Sequence, residues 1–206
     1  MTERLAQGAL CGIAAGAVTG IAARVAMHMV ADGVPDGIGQ QPDFTLVGSV
    51  VIVFIGAIAG MPIGSLFSWI DESIPGPRKA RGVAFGLLLL LLIGPLFFLG
   101  ARDEFITTQR VILFSLLFPI YGVSAGLALP KSRELTRHLP LPAQRALALA
   151  TLVCGAAIAV LLAGSISTAI QLHGGLALAL ALPWLALLVW RSGGLRNRLA
   201  TLTTAR

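Results

Sequence analysis

The sequence predicts an all-α protein: a polytopic bundle of six transmembrane helices with both termini in the cytoplasm. Apolar residues make up 56% of the 206 residues and charged residues only 12%, and the mean hydropathy is +0.89. A soluble domain carries roughly 25% charged residues, about twice this share. The apolar residues also fall into long stretches, and a helix of about 20 such residues crosses a bilayer. We therefore expect one integral membrane domain over residues 1–206.

Short connections rich in Pro, Gly and charge separate the six apolar stretches. The predicted spans cover about 7–31, 44–70, 82–100, 108–129, 144–172 and 174–190. The last is the shortest, between His173 and Arg191. In the connection after the fourth span, Leu135 and Leu139 recur among charges. That spacing is typical of a short helix lying on the membrane surface, and a solvated loop is the alternative.

The basic residues predict the orientation, because cytoplasmic loops are enriched in Lys and Arg. With the N-terminus inside, twelve of the fifteen basic residues fall in inner segments. Their expected partners are anionic lipid head groups, at the inner loops and at the C-terminal tail RSGGLRNR. Positive charge confined to one membrane surface does not indicate nucleic-acid binding. Thirteen Arg against two Lys, with abundant Ala, Gly and Leu, favour a bacterial cytoplasmic membrane.

Glycines recur every fourth residue along the first two predicted spans. The set is Gly8, Gly12, Gly16 and Gly20 in the first span, and Gly56, Gly60 and Gly64 in the second. Each Gly costs about 1 kcal/mol of helix stability relative to Ala, so a regular row needs a compensating reason. Small residues let membrane helices approach closely. We expect this glycine zipper to pack the first two spans together; contact between copies in a homo-oligomer is the alternative.

The first stripe continues at the same spacing into Arg24, His28 and Asp32. An i+4 step turns a helix by only about 40°, so these side chains are neighbours near the outer end of the span. Ionisable residues at membrane depth are costly and by default indicate function. We therefore predict a ligand-binding site with Arg24 as charge anchor, His28 as titratable partner and Asp32 setting the state of His28. The alternative is that Arg24 extends to the outer head groups and the others are interface residues.

The sequence predicts no metal, no cofactor and no catalytic residue. No Asp or Glu falls in the middle of a span, so no deep carboxylate is present to carry a proton or a cation. A copper site at Met27, His28 and Met29 with His173 is a weaker hypothesis, as is a haem held by the two histidines. Both would require ligands to converge from two spans.

The leading hypothesis is a small membrane protein that binds or transports a small anionic or lipid-like solute. The second hypothesis is a non-catalytic subunit of a larger membrane complex, held by its small-residue stripes. A lipid- or quinone-modifying enzyme is the third, and we do not favour it because no nucleophile has an evident base in the sequence.

Overall fold

The fold is helical throughout the part of the chain that the structure, a computed structural model, describes. That part covers residues 1–31, 45–100 and 108–173, and side chains are described except for those of 31, 95–100 and 165–173. The helices are α1 Thr2–Ala31, α2 Leu46–Ile70, α3 Arg78–Gly100, α4 Thr108–Ser115, α5 Leu117–His138 and α6 Leu141–His173. A single 3₁₀ turn, Asp71–Ser73, follows α2 directly. The all-α prediction is confirmed for these residues.

Four of the helical segments are long and apolar enough to cross a membrane. They are Thr2–Val30, Leu46–Ser73, Thr108–His138 and Leu141–Gly164, within the described residues. The third predicted span, 82–100, is helical within α3. The sixth, 174–190, and the C-terminal tail lie outside the described residues. Exposed apolar side chains on α2 and α6 are typical of lipid-facing helices; Val50, Phe54, Val153 and Val160 are each more than half exposed.

Helices α1 and α2 run antiparallel, and their glycines alternate along the line of contact. Gly64 lies between Gly8 and Gly12, Gly60 between Gly12 and Gly16, and Gly56 between Gly16 and Gly20. We call this row of seven residues the glycine seam. A methyl group added at Gly12 would overlap the carbonyl of Gly60, whose carbon would lie at 2.5 Å. Any side chain at these positions would therefore separate the two backbones.

Helices α3 and α5 form a second antiparallel pair, again in contact at glycines. A Cβ at Gly82 would overlap the carbonyl of Gly122, and one at Gly126 would lie 2.9 Å from the carbonyl oxygen of Arg78. The break between α4 and α5 falls at Leu116. Pro119 explains it, because its missing N–H leaves the Ser115 carbonyl without the usual i+4 donor.

Helix α5 continues through the segment around Leu135. For this segment the sequence allowed two alternatives, a helix on the membrane surface or a solvated loop. The helix extends to His138, and Thr136 is fully buried. Leu139 then caps the helix, donating its backbone N–H to the Thr136 carbonyl. Neither alternative is therefore correct: the segment around Leu135 is the end of a long packed helix, and the connection to α6 is much shorter than expected.

The two helix pairs join in one apolar core. The ring centroids of Phe67 on α2 and Phe85 on α3 are 4.9 Å apart, and both side chains are fully buried. The Cys11 thiol of α1 donates to the Ala125 carbonyl of α5 at 3.3 Å. Helix α6 packs against α1, α2 and α3. The bundle has a basic end, where α1, α3 and α6 begin and α2 and α5 end, and an opposite end that we call the Arg24 end.

Candidate functional site

Arg24 is buried against the first turn of α2. It follows the glycine seam on α1 and its residue surface is only 9% exposed. Its Nε donates to the hydroxyl of Ser49 at 3.0 Å. Gly48 lies beside the guanidinium, since a Cβ built there would lie 3.6 Å from Nη2 of Arg24, in ordinary van der Waals contact. The guanidinium is thus held between two helices.

The start of α2 is organised to hold Ser49 in place. Thr45 is the N-cap, and its hydroxyl oxygen accepts from the Gly48 backbone N–H at 3.1 Å. The Ser49 hydroxyl donates to the Thr45 carbonyl at 3.1 Å. A hydrogen-bonded chain therefore runs from Arg24 through Ser49 to the backbone of Thr45. The sequence carries one signal for the beginning of α2, a Thr just before an apolar run.

Two sources of positive potential meet at Arg24. The N-terminus of a helix carries about half a positive charge from its aligned peptide dipoles. In this structure the Arg24 guanidinium lies against that end of α2. Two positive potentials in a poorly solvated region favour a nearby anionic group. Phosphates and carboxylates are the groups that arginine and helix N-termini bind best.

His28 lies one turn further along α1, and its side chain is exposed. Asp32 lies outside the described residues, so the structure gives no position for the third predicted site residue. The structure brings Arg24 together with Ser49 and Thr45, which the sequence analysis did not select. Residues on a second helix cannot be assigned to a site from the spacing on the first.

A second charged cluster at the basic end was also not selected from the sequence. Asp71, at the end of α2, is only 6% exposed and accepts from Arg133 at 3.5 Å. Its other oxygen is 3.8 Å from Arg81, and Glu72 is 3.8 Å from Arg133. A buried carboxylate needs such partners, because the cost of removing its charge from water is large. This cluster ties α2 to the beginning of α3 and to α5.

The described residues offer little for a metal ion. Among them, no three His, Cys, Asp or Glu side chains lie close enough together to hold one. Cys11 and Cys154 are both free thiols. The side chain of His173, required by the copper and haem hypotheses, lies outside the described set.

Comparison with protein-family models, with characterised proteins and with solved structures gave no significant match. What is established is therefore the class that the helices define: an all-helical protein with four apolar helices that fit a membrane, within the described residues.

Proposed function

We propose that this chain is a multi-pass protein of a bacterial cytoplasmic membrane that binds or passes a small anionic or lipid-like solute. In this proposal six spans cross the bilayer and both termini lie in the cytoplasm. The Arg24 end then faces outward, and the solute binds there.

The observation that carries the proposal is the burial of Arg24 against the N-terminal turn of α2. A guanidinium that only reaches for head groups would keep its charged end in water, as long basic side chains do at membrane surfaces. Here Nε is instead directed to a serine hydroxyl between two helices. A membrane protein places such a costly charge where it faces the bundle interior and has a task.

The predicted residues have distinct roles in this site. Arg24 supplies the fixed positive charge, and Ser49 orients its guanidinium through the Nε hydrogen bond. In this proposal His28 contributes an imidazole one turn further along α1, and Asp32 is the third residue of the site. The fixed charge of Arg24 makes the proposed site suited to a phosphate or a carboxylate.

The test is anion binding by purified full-length protein in a neutral detergent. Thermal unfolding is followed with inorganic phosphate, sulfate and dihexanoyl phosphatidic acid, against sodium chloride at equal ionic strength. We expect at least one anion to stabilise the wild type, since a ligand that binds only the folded state raises its stability. Arg24→Gln should abolish this shift, and Arg24→Lys, which keeps the charge but loses the planar fork, should reduce it.

Ser49→Ala is the matched variant, because it removes the orienting hydroxyl and leaves the charge. It should weaken anion binding roughly tenfold or less, the scale of one hydrogen bond. If no anion stabilises the wild type and Arg24→Gln simply unfolds the protein, Arg24 is a structural cation and the proposal fails.

A further inference from the structure

A cleft opens at the basic end, far from Arg24. Its volume is about 290 Å³, close to the lower limit of small-ligand pockets. Three helical segments line it, with the residues Glu3, Arg4, Gln7, Ser68, Glu72 and Arg133. All six are polar, and four of them are charged.

The cleft has two positive and two negative side chains, and one of the positive ones is uncommitted. Glu3 accepts a hydrogen bond from Gln7 at 3.0 Å. Arg133 donates to Asp71 at 3.5 Å and lies 3.8 Å from Glu72. No ion pair or side-chain hydrogen bond joins the Arg4 guanidinium to another residue in the described part of the chain. Charges of both signs therefore face the same space.

Ser68 forms the buried wall of the cleft. It is 6% exposed, and its hydroxyl lies 2.8 Å from the Ser65 carbonyl and 3.2 Å from the Arg4 carbonyl, which ties α2 to α1. Trp69, the next residue, is 51% exposed. Tryptophan is enriched at the boundary between hydrocarbon and head groups. An exposed tryptophan beside the cleft is thus the pattern expected at the depth of lipid head groups.

We propose that this cleft binds a zwitterion that joins a phosphate to a primary ammonium group, the chemistry of phosphoethanolamine. The phosphate is placed between Arg4 and Arg133, because guanidinium groups bind phosphate with paired hydrogen bonds. The ammonium group donates to Glu3 and Glu72. A simple anion would be repelled by the two carboxylates, and a simple cation by the two arginines. A choline head group lacks the N–H donors that the carboxylates require.

The zwitterion has two sources, phosphatidylethanolamine in the membrane and free phosphoethanolamine. The experiment is native mass spectrometry of the full-length protein in detergent. The protein is titrated with dioleoyl phosphatidylethanolamine, with dioleoyl phosphatidylcholine, and with free phosphoethanolamine as a competitor.

Arg4→Gln and Glu72→Gln test the cleft; both side chains are exposed, so neither change removes core packing. Arg145→Gln removes an exposed charge near the start of α6 that does not line the cleft.

We expect the wild type to bind the ethanolamine lipid more tightly than the choline lipid. Arg4→Gln and Glu72→Gln should each weaken that binding by about tenfold, the loss of one charge-assisted contact, while Arg145→Gln should not. Competition by free phosphoethanolamine would assign a soluble ligand, and its absence a lipid; both support the proposal. Equal binding of the two lipids, or equal effects of Arg4→Gln and Arg145→Gln, would overturn it. The cleft shares no residue with the Arg24 site, so failure of one proposal is distinguishable from failure of the other.

Discussion

Tyr121 of α5 donates its phenolic O–H to the backbone carbonyl of Gly60 on α2, over 2.9 Å. Gly60 belongs to the glycine seam, and its carbonyl lies where α1 and α2 meet, next to Gly12. Tyr121 is only 6% exposed. One hydrogen bond thus connects the second helix pair to the centre of the first.

Tyr121→Phe should lower the free energy of unfolding by about 0.5–1 kcal/mol, because it removes only the hydroxyl. Unfolding by SDS titration in mixed micelles measures the change. Tyr121→Ala also removes the ring and should cost several times more. A Tyr121→Phe variant as stable as the wild type would show that the hydrogen bond does not stabilise the bundle as described.

Gly12→Ala should destabilise the bundle by about 1–3 kcal/mol, the usual cost of overpacking. A methyl there would overlap the Gly60 carbonyl. The control is Gly155→Ala on α6, where an added Cβ would lie 3.4 Å from the Cβ of Pro62, an ordinary van der Waals contact. Because Ala is the better helix former by about 1 kcal/mol, the control should be neutral or stabilising. A neutral Gly12→Ala would contradict the close contact in the seam.

Asp71→Asn should destabilise the basic end by roughly 1–3 kcal/mol, since it leaves two arginines without their buried carboxylate. The two arginine side chains are 29% and 33% exposed, which limits the loss. In a double-mutant cycle with Arg133→Gln, the two changes should couple. Glu72, whose side chain is 67% exposed, provides the control: Glu72→Gln should cost less than about 0.5 kcal/mol.

The access of water to the Arg24 end is testable with single cysteines. Cys154→Ala and Cys11→Ser provide the background, and serine retains the hydrogen bond that Cys11 donates to Ala125. The chain is reconstituted in the predicted orientation, and a membrane-impermeant thiol reagent is added from the outer side.

Cysteines at positions 24 and 28 should label, and those at 22 and 25 should not. Val25 is the informative control, because it is 55% exposed but apolar and suited to lipid contact. Labelling that decreases smoothly with depth, or labelling at 25 as strong as at 24, would contradict a water-filled site on the Arg24 side of α1.

The sequence predicted the helical class and most helix positions, since apolar length and composition largely decide both. It did not predict where polar groups distant in the chain meet. The end of α5 was missed because it lies among charges, and the burial of Thr136 there depends on packing against other helices. Asp71 resembled an ordinary loop acid, and only the fold brings Arg133 to it.

The Arg24 site shows the same limit. Spacing on α1 identified Arg24, but 25 positions separate it from Ser49, its hydrogen-bond acceptor. The turn of about 140° from the middle of the glycine row to His28 left the facing direction of the polar residues open. In the structure Arg24 is directed to α2, as the glycines are, whereas His28 is exposed.

The regular spacing of the glycine seam also restricts how α2 can move along α1. If α2 slid by four residues, about 6 Å, either Ser68 would enter the space of Gly64 or Ile52 would enter the space of Gly56. A side chain at either place would overlap the backbone of α1, so both shifted registers would force the two helices apart. A slide would also break the polar contacts at the two ends of the seam: Arg24 with Ser49, and Ser65 with the Leu5 carbonyl at 3.1 Å. The seam therefore selects one register, although its glycines repeat every four residues.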